Sequence, residues 1–161
     1  MLTLQSHRLI DSILAMNNQN ETKKVQALFG VEDLTHVQDF VALLTYPLGA
    51  WQAQNWDPKV SSTGFTDFCD DLLDRRESSK QDNGYAAQHP IIASTKNTAP
   101  YISNYASYIR QNVLPFCKTD KGQTLDECFG TFNDADYQQT GLDQTWRSWT
   151  WQYCTGEDSI L

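Results

Sequence analysis

The sequence lacks any apolar run of about 18 residues, so no segment is long enough to cross a bilayer as a helix. It is short of basic charge: 12 Lys and Arg stand against 20 Asp and Glu, a net charge of −8. No basic cluster exceeds Lys23-Lys24 or Arg75-Arg76. A nucleic-acid partner needs a basic face that displaces counterions, so that class of partner is excluded. The first residues, Met1 to Met16, have no basic leader, and Asp11 and Ser12 interrupt the apolar positions, so they do not read as a signal peptide. No C-x-x-C spacing offers a zinc site, and H-E-x-x-H, the P-loop and G-x-G-x-x-G are missing. None of the eleven serines sits in G-x-S-x-G, so there is no nucleophile elbow. Neither a metal nor a cofactor is expected.

What is present is a chain of 161 residues, enough for one domain with a core. Five Trp, seven Tyr and seven Phe are too many for a disordered acidic tail. Four cysteines, Cys69, Cys117, Cys128 and Cys154, and one glycosylation acceptor, Asn20-Glu21-Thr22, point to an oxidising compartment. The competing reading is reduced, buried thiols and a chance acceptor.

Apolar spacing predicts a mainly helical first half. Leu9, Ile10, Ile13 and Leu14 share one face; Asn17 to Asn20 is a polar break. Val25, Leu28 and Phe29 form a second helix that Gly30 can end. Leu34, Val37, Phe40, Val41 and Leu44 form a third, opened by Asp33 and ended by Pro47 and Gly49. Tyr46 to Ser61 is a long loop with Trp51 and Trp56. Phe65, Phe68, Cys69, Leu72 and Leu73 form a helix capped by Ser62 or Thr63. Glu77 to Asn97 reads as polar and irregular. Pro100 opens a helix carrying Tyr101, Ile102, Tyr105, Ile109 and Val113, which Pro115 stops. Lys118 to Gly141 is rich in turns. Trp149, Trp151 and Tyr153 sit at period two, which predicts a strand. The expected domains are therefore a helical unit over 1–145 and an aromatic, extended tail over 146–161.

Side chains able to do chemistry are sparse. His7, His36 and His89 have no local companion that would form a triad. Asp70-Asp71 reads as a solvated helix face, and Asn133-Asp134-Ala135-Asp136 as a solvated turn lacking the spacing of a calcium loop. Three Trp within Trp146 to Trp151 are costly to expose and must pack against something, either as a plain aromatic strand or as the wall of a pocket.

The string Trp149-Thr150-Trp151-Gln152-Tyr153-Cys154-Thr155 resembles the W-x-W/Y-Q-x-C-T-E signature of a serine carboxypeptidase family. That family includes lysosomal Pro-X carboxypeptidase, dipeptidyl peptidase II and the fungal acid prolyl endopeptidases. Cys128-Phe129-Gly130-Thr131-Phe132, Phe68-Cys69-Asp70, Ala27-Leu28-Phe29-Gly30 and Tyr46-Pro47 are similar to parts of its helical cap. The resemblance runs from about residue 5 to 155 and is closest to fungal members. It implies a helical, bundle-like cap inserted in an α/β-hydrolase fold, covering the substrate cleft of a prolyl-specific peptidase. It places Trp149, Trp151 and Gln152 near that cleft.

The family's catalytic Ser lies upstream of the cap in G-G-S-Y-G-G, and its Asp and His lie downstream; this sequence matches none of them. The expectation is a cap fragment that begins inside the first cap helix, departs from the pattern after Thr155 as a truncated or mis-spliced frame would, and is inactive alone. Whether the chain counts as an enzyme is left open by that fragment reading. The resemblance also implies a peptide substrate and a secreted, vacuolar or lysosomal setting for the parent. The tail, without its sheet, is expected to self-associate. Cys69, Cys117, Cys128 and Cys154 are the bridge candidates, and they allow three pairings among themselves. Asn20 is the glycosylation candidate. The rival readings are a small secreted, disulfide-stapled helical binding module, with the Trp51–Trp56 loop and tail as its contact patch, and an intracellular protein with reduced cysteines.

Overall fold

The computed structural model describes residues 2–73, 92, 95 and 99–141. The chain forms two units, Met1–Gly130 and Thr131–Leu161. The expected boundary between 145 and 146 and the expected strand at 149–155 lie outside the described residues. Among the described residues the structure is helical and contains no strand.

In the first unit, α1 (Leu2–Ala15) buries Ile10 and Ile13. Asn17 follows with φ 48°, a left-handed conformation that Asn tolerates better than most residues. Asn18 then caps α2 (Gln19–Phe29): its side chain accepts from the N–H of Asn20 at 3.1 Å and of Glu21 at 3.4 Å. The polar break thus ends earlier than expected, because its last two residues belong to the first turn of α2. Gly30 closes α2 at φ 77°, and its N–H bonds Ala27 O at 3.0 Å.

α3 spans Val37–Gly49, with His36 rather than Asp33 at its start. Asp33 stays exposed in a turn closed by Leu34 N–H on Val31 O at 3.1 Å, which buries Val31 and Leu34 before the helix begins. Pro47 lies buried inside the last turn, where only one helical bond is lost, so it does not end α3. A 3-10 turn, Ala50–Ala53, enters the exposed loop. In front of α4 (Gly64–Leu73), Ser62 Oγ accepts from Gly64 N–H at 3.2 Å and Thr63 Oγ1 donates to Asp67 Oδ2 at 2.8 Å.

α5 (Ala99–Tyr108) carries Pro100 in its first turn. It widens into a π turn at Ile109–Val113 and tightens into a 3-10 turn at Leu114–Phe116. α6 (Leu125–Phe129) opens with a capping box: Glu127 N–H donates to Thr124 Oγ1 at 3.1 Å, and Thr124 N–H donates to Glu127 Oε2 at 2.8 Å. In the second unit, α7 (Asp134–Tyr137) is capped by Asn133, whose side chain accepts from Ala135 N–H at 3.2 Å. The Asn133-Asp134 turn is a helix cap.

The core centres on Tyr105, which is fully buried. Its ring stands edge-on to Phe29 of α2 at 5.6 Å and tilted against Phe68 of α4 at 5.3 Å. Its hydroxyl donates to Leu44 O of α3, and its ring meets His7 of α1 at 5.5 Å. One side chain therefore ties α5 to each of the first four helices. Two polar side chains finish helix ends: Asn104 Nδ2 donates to Leu72 O at 3.1 Å, and Arg110 donates through Nε to Leu28 O at 3.0 Å and through Nη2 to Ala27 O at 2.6 Å. These carbonyls at the ends of α4 and α2 would otherwise face inward without helical donors.

Candidate functional site

Cys117 and Cys128 form a disulfide with Cα atoms 5.5 Å apart, closing the loop that leads into α6. Cys69 is a half-buried free thiol on α4; burial and then the Asp70 carboxylate push its pKa up. It is not paired with either of the other two described cysteines. Asn20 is exposed in the first turn of α2, accessible to modifying enzymes. Trp149, Trp151, Gln152, Cys154 and His89 lie outside the described residues, so the proposed cleft wall is a sequence expectation alone.

The remaining candidates do not assemble a reactive centre. His7 is half-buried beside Tyr105, with Nε2 3.4 Å from the phenol oxygen. The phenol proton goes to Leu44 O, so His7 presents a proton on Nε2 to the phenol oxygen. Burial holds the His7 imidazole below its ordinary pKa, against the opposing pull of Asp11. This is the chemistry of a neutral core histidine. Asp70 and Asp71 are on α4, Asp71 exposed and Asp70 exposed, as a solvated face would be. No group of three metal-ligating side chains gathers among the described residues.

Two surface features stand out instead. The first is aromatic. Tyr46 in the last turns of α3, Trp51 in the 3-10 turn and Trp56 in the loop are all exposed, Trp56 at 95%. Trp51 leans edge-on against Phe65 of α4 at 5.0 Å, and Tyr46 lies 6.4 Å from the exposed ring of Phe116. Burying aromatic area of this kind yields roughly 25 cal/mol per Å², so the segment is poised for a covering partner.

The second is a polar cavity of about 440 Å³ between the end of α1, the start of α2 and the start of α3. Asn17, Gln19, Thr22, Gln26, His36 and Gln38 contribute polar groups to its wall. Lys23 crosses it, donating from Nζ to Glu32 O at 2.6 Å and to Leu34 O at 2.9 Å. Thr35 at its edge is held from the far side by Asp126 of α6: the backbone N–H donates to Oδ1 at 2.9 Å and the hydroxyl to Oδ2 at 2.5 Å. The Thr35 hydroxyl and then its N–H hold the Asp126 carboxyl below the usual range, with smaller help from the charges of His36 and Lys23. Sequence reading missed this cavity. Its one signal was Gln26, a polar residue set among Val25, Leu28 and Phe29 on the buried face of α2.

Comparison with known proteins agrees in kind with the resemblance read from the sequence. The chain is 30% identical over 164 aligned residues to a probable extracellular serine carboxypeptidase of Arthroderma benhamiae, covering 91% of this chain and 21% of that protein. It is 22% identical to the serine protease vicPa of Bipolaris victoriae and 21% identical to vicPb of the same fungus, each over 90% of this chain and 27% of the relative.

The chain is similar to fungal serine peptidases.

It spans about a fifth to a quarter of the length of the curated relatives it matches. No family model matches it, and no solved structure matches it.

Proposed function

We propose that this chain is the substrate-gating helical cap of a serine-type peptidase, prolyl-specific by the sequence resemblance, and that it does not hydrolyse peptides by itself. The observation that carries this reading is the similarity to a serine carboxypeptidase over nearly the whole chain but only 21% of the relative. The helical architecture supports it. So does the chemistry of the described side chains: the two described histidines are a core residue beside Tyr105 and a helix-start residue, and neither is matched to a serine and an orienting acid. A triad acts as a unit, so a cap contributes by covering the cleft and restricting which chain ends enter, while the reacting groups come from elsewhere. The exposed aromatics at Tyr46, Trp51 and Trp56 are suited to line or cover such a boundary. The extracellular naming of the Arthroderma relative supports an oxidising, secreted setting, in which the Cys117–Cys128 bridge would persist.

The test has two parts. The purified chain should neither turn over prolyl peptide substrates nor be labelled by a fluorophosphonate probe; stoichiometric labelling of a serine would overturn the claim of inactivity. A chimera carrying this chain in place of the matching segment of the Arthroderma carboxypeptidase should keep activity and change its preference for substrate length. A folded, active chimera with unchanged preference would overturn the gating role.

The exposed aromatic segment also favours a second reading, an autonomous disulfide-stapled binding module. Deleting residues 146–161 discriminates. Under the cap reading the deletion leaves helical circular dichroism intact and improves solubility; loss of the helices would favour the self-sufficient module.

A further inference from the structure

The polar cavity beside α2 holds an unexplained group. Gln26 is only 1% exposed and lines the cavity. Its Nε2 donates to Leu34 O at 3.4 Å, while its Oε1 is buried with no hydrogen-bond partner. An unsatisfied buried acceptor costs about 1–3 kcal/mol, so such a group in a stable fold calls for a partner that the chain itself does not supply.

The rest of the wall defines what that partner is. His36 starts α3 without a side-chain cap, and the N–H groups of Val37 and Gln38 find no acceptor among the described residues. Lys23 spends its donors on Glu32 O and Leu34 O, so its charge serves to brace the turn. The nearby Asp126 carboxylate is itself anionic and filled by Thr35, and Glu32 and Asp33 are exposed in the same turn. That balance disfavours an anion despite the helix start. The lining is instead dominated by neutral side chains that both donate and accept: Asn17, Gln19, Gln38 and the Thr22 hydroxyl. Leu14 and Val37 add small apolar patches. Paired donors and acceptors around a few C–H surfaces match a ring of vicinal hydroxyls. A volume of about 440 Å³ falls within the range of small-molecule sites and exceeds one pyranose ring.

We infer that this cavity binds a neutral sugar residue, one of whose O–H or N–H groups donates to Gln26 Oε1. The sugar has two available sources: a free saccharide, or a glycan on this chain's own Asn20, since Thr22 is both the third residue of the acceptor Asn20-Glu21-Thr22 and part of the cavity wall.

The 161-residue chain should be made in a bacterium, where Asn20 stays bare, and in a secreting yeast. N-acetylglucosamine and its β1,4-linked dimer are titrated into the bacterial protein, followed by amide chemical shifts. Saturable shifts confined to residues 14–38, unchanged in Asn20→Gln and weakened about tenfold in Gln26→Met, establish a free-saccharide site. For the yeast protein the readout is endoglycosidase digestion. An Asn20 glycan that resists release under native conditions, and becomes cleavable in Gln26→Met or Gln38→Leu, establishes that the chain's own glycan is the occupant. Gln38 is exposed, so its variant keeps the test valid if Gln26→Met perturbs folding; circular dichroism checks both. No shifts with either sugar, together with a glycan that is absent or equally cleavable in all forms, overturns the inference. None of these readouts depends on peptidase activity.

Discussion

Around Tyr105 the contacts come from far along the chain. Phe29, Phe40 and Phe68 close on one another and on the tyrosine ring at 5.3–5.6 Å, and Ile10, Ile13, Ile102 and Ile109 are fully buried beside them. Between Leu114 and Gly130 the arrangement is different. Only Cys117 is buried there, and order comes from a disulfide, a capping box and the two hydrogen bonds between Thr35 and Asp126. One region is held by apolar burial, which is non-directional and cooperative. The other is held by a few directional or covalent links, each of which can be removed singly. The two regions should therefore fail in different ways.

The largest effect is expected at the centre of the apolar region. Tyr105→Ala should cost about 3–5 kcal/mol, because it empties the space between four helices. Tyr105→Phe should cost about 1–2 kcal/mol by leaving Leu44 O without its donor. Urea denaturation followed by helical circular dichroism measures both. A Tyr105→Ala loss no greater than that of Tyr105→Phe would show that ring packing is not what joins the helices.

Replacing Cys117 and Cys128 together by Ser should cost about 2–3 kcal/mol, as expected for a bridge between residues 11 apart. The signature should be local. Lys118 and Lys121 are exposed inside the loop, so trypsin should cut there faster while the helical signal below the transition stays unchanged. Loss of α1–α5 helicity in the double variant would mean that the bridge supports the core rather than the loop.

Gly30 joins the two regions. At φ 77° a Cβ would be strained, and it would stand 3.2 Å from Arg110 Cζ and 3.3 Å from Leu114 Cδ1. Gly30→Ala should cost about 1–2 kcal/mol, measured by the same denaturation curve.

The smallest effects are in acid, and they separate the regions by pH. The folded pKa of His7 lies below the unfolded value of 6.5, so the unfolded chain binds more protons and core stability should fall as pH drops through and below 6.5. The folded pKa of Asp126 lies below 3.8, so its contribution is complete above that value and is lost only as pH falls below it. His7→Gln should remove the first decline and leave the second; Asp126→Asn should do the reverse. Thermal unfolding from pH 7 to pH 3 in each variant reads this directly.

Local rules made much of the helical region legible. The spacing of Ile10 with Ile13, and of Phe68 with Leu72, marked buried faces, and Gly30 marked a helix end because only a residue at ease with positive φ closes one that way. Pro100 and the Ser62-Thr63 pair marked helix starts for equally local reasons. Asp33 misled because tertiary burial of Val31 and Leu34 claimed the turn first. Thr124-Leu125-Asp126-Glu127 carries the capping-box pattern, but five residues of helix are too short to show apolar periodicity. The cavity was illegible because its walls come from three helices. Arg110 likewise meets α2 at a distance of 82 residues, which no window of sequence reveals.

The π turn at Ile109–Val113 has a consequence for winding. It holds one more residue than an α turn would, and within it Ile109 and Val113 stay buried while Arg110 reaches the end of α2. Deleting a single residue there would restore ordinary winding and rotate everything downstream by about 100°. Leu114 would swing away from Gly30, and Cys117 would arrive on a different side of the axis from the one on which it meets Cys128. The extra residue acts as a phase shift between the helical core and the loop that follows it, and a one-residue deletion is expected to do more damage here than most substitutions at the same positions.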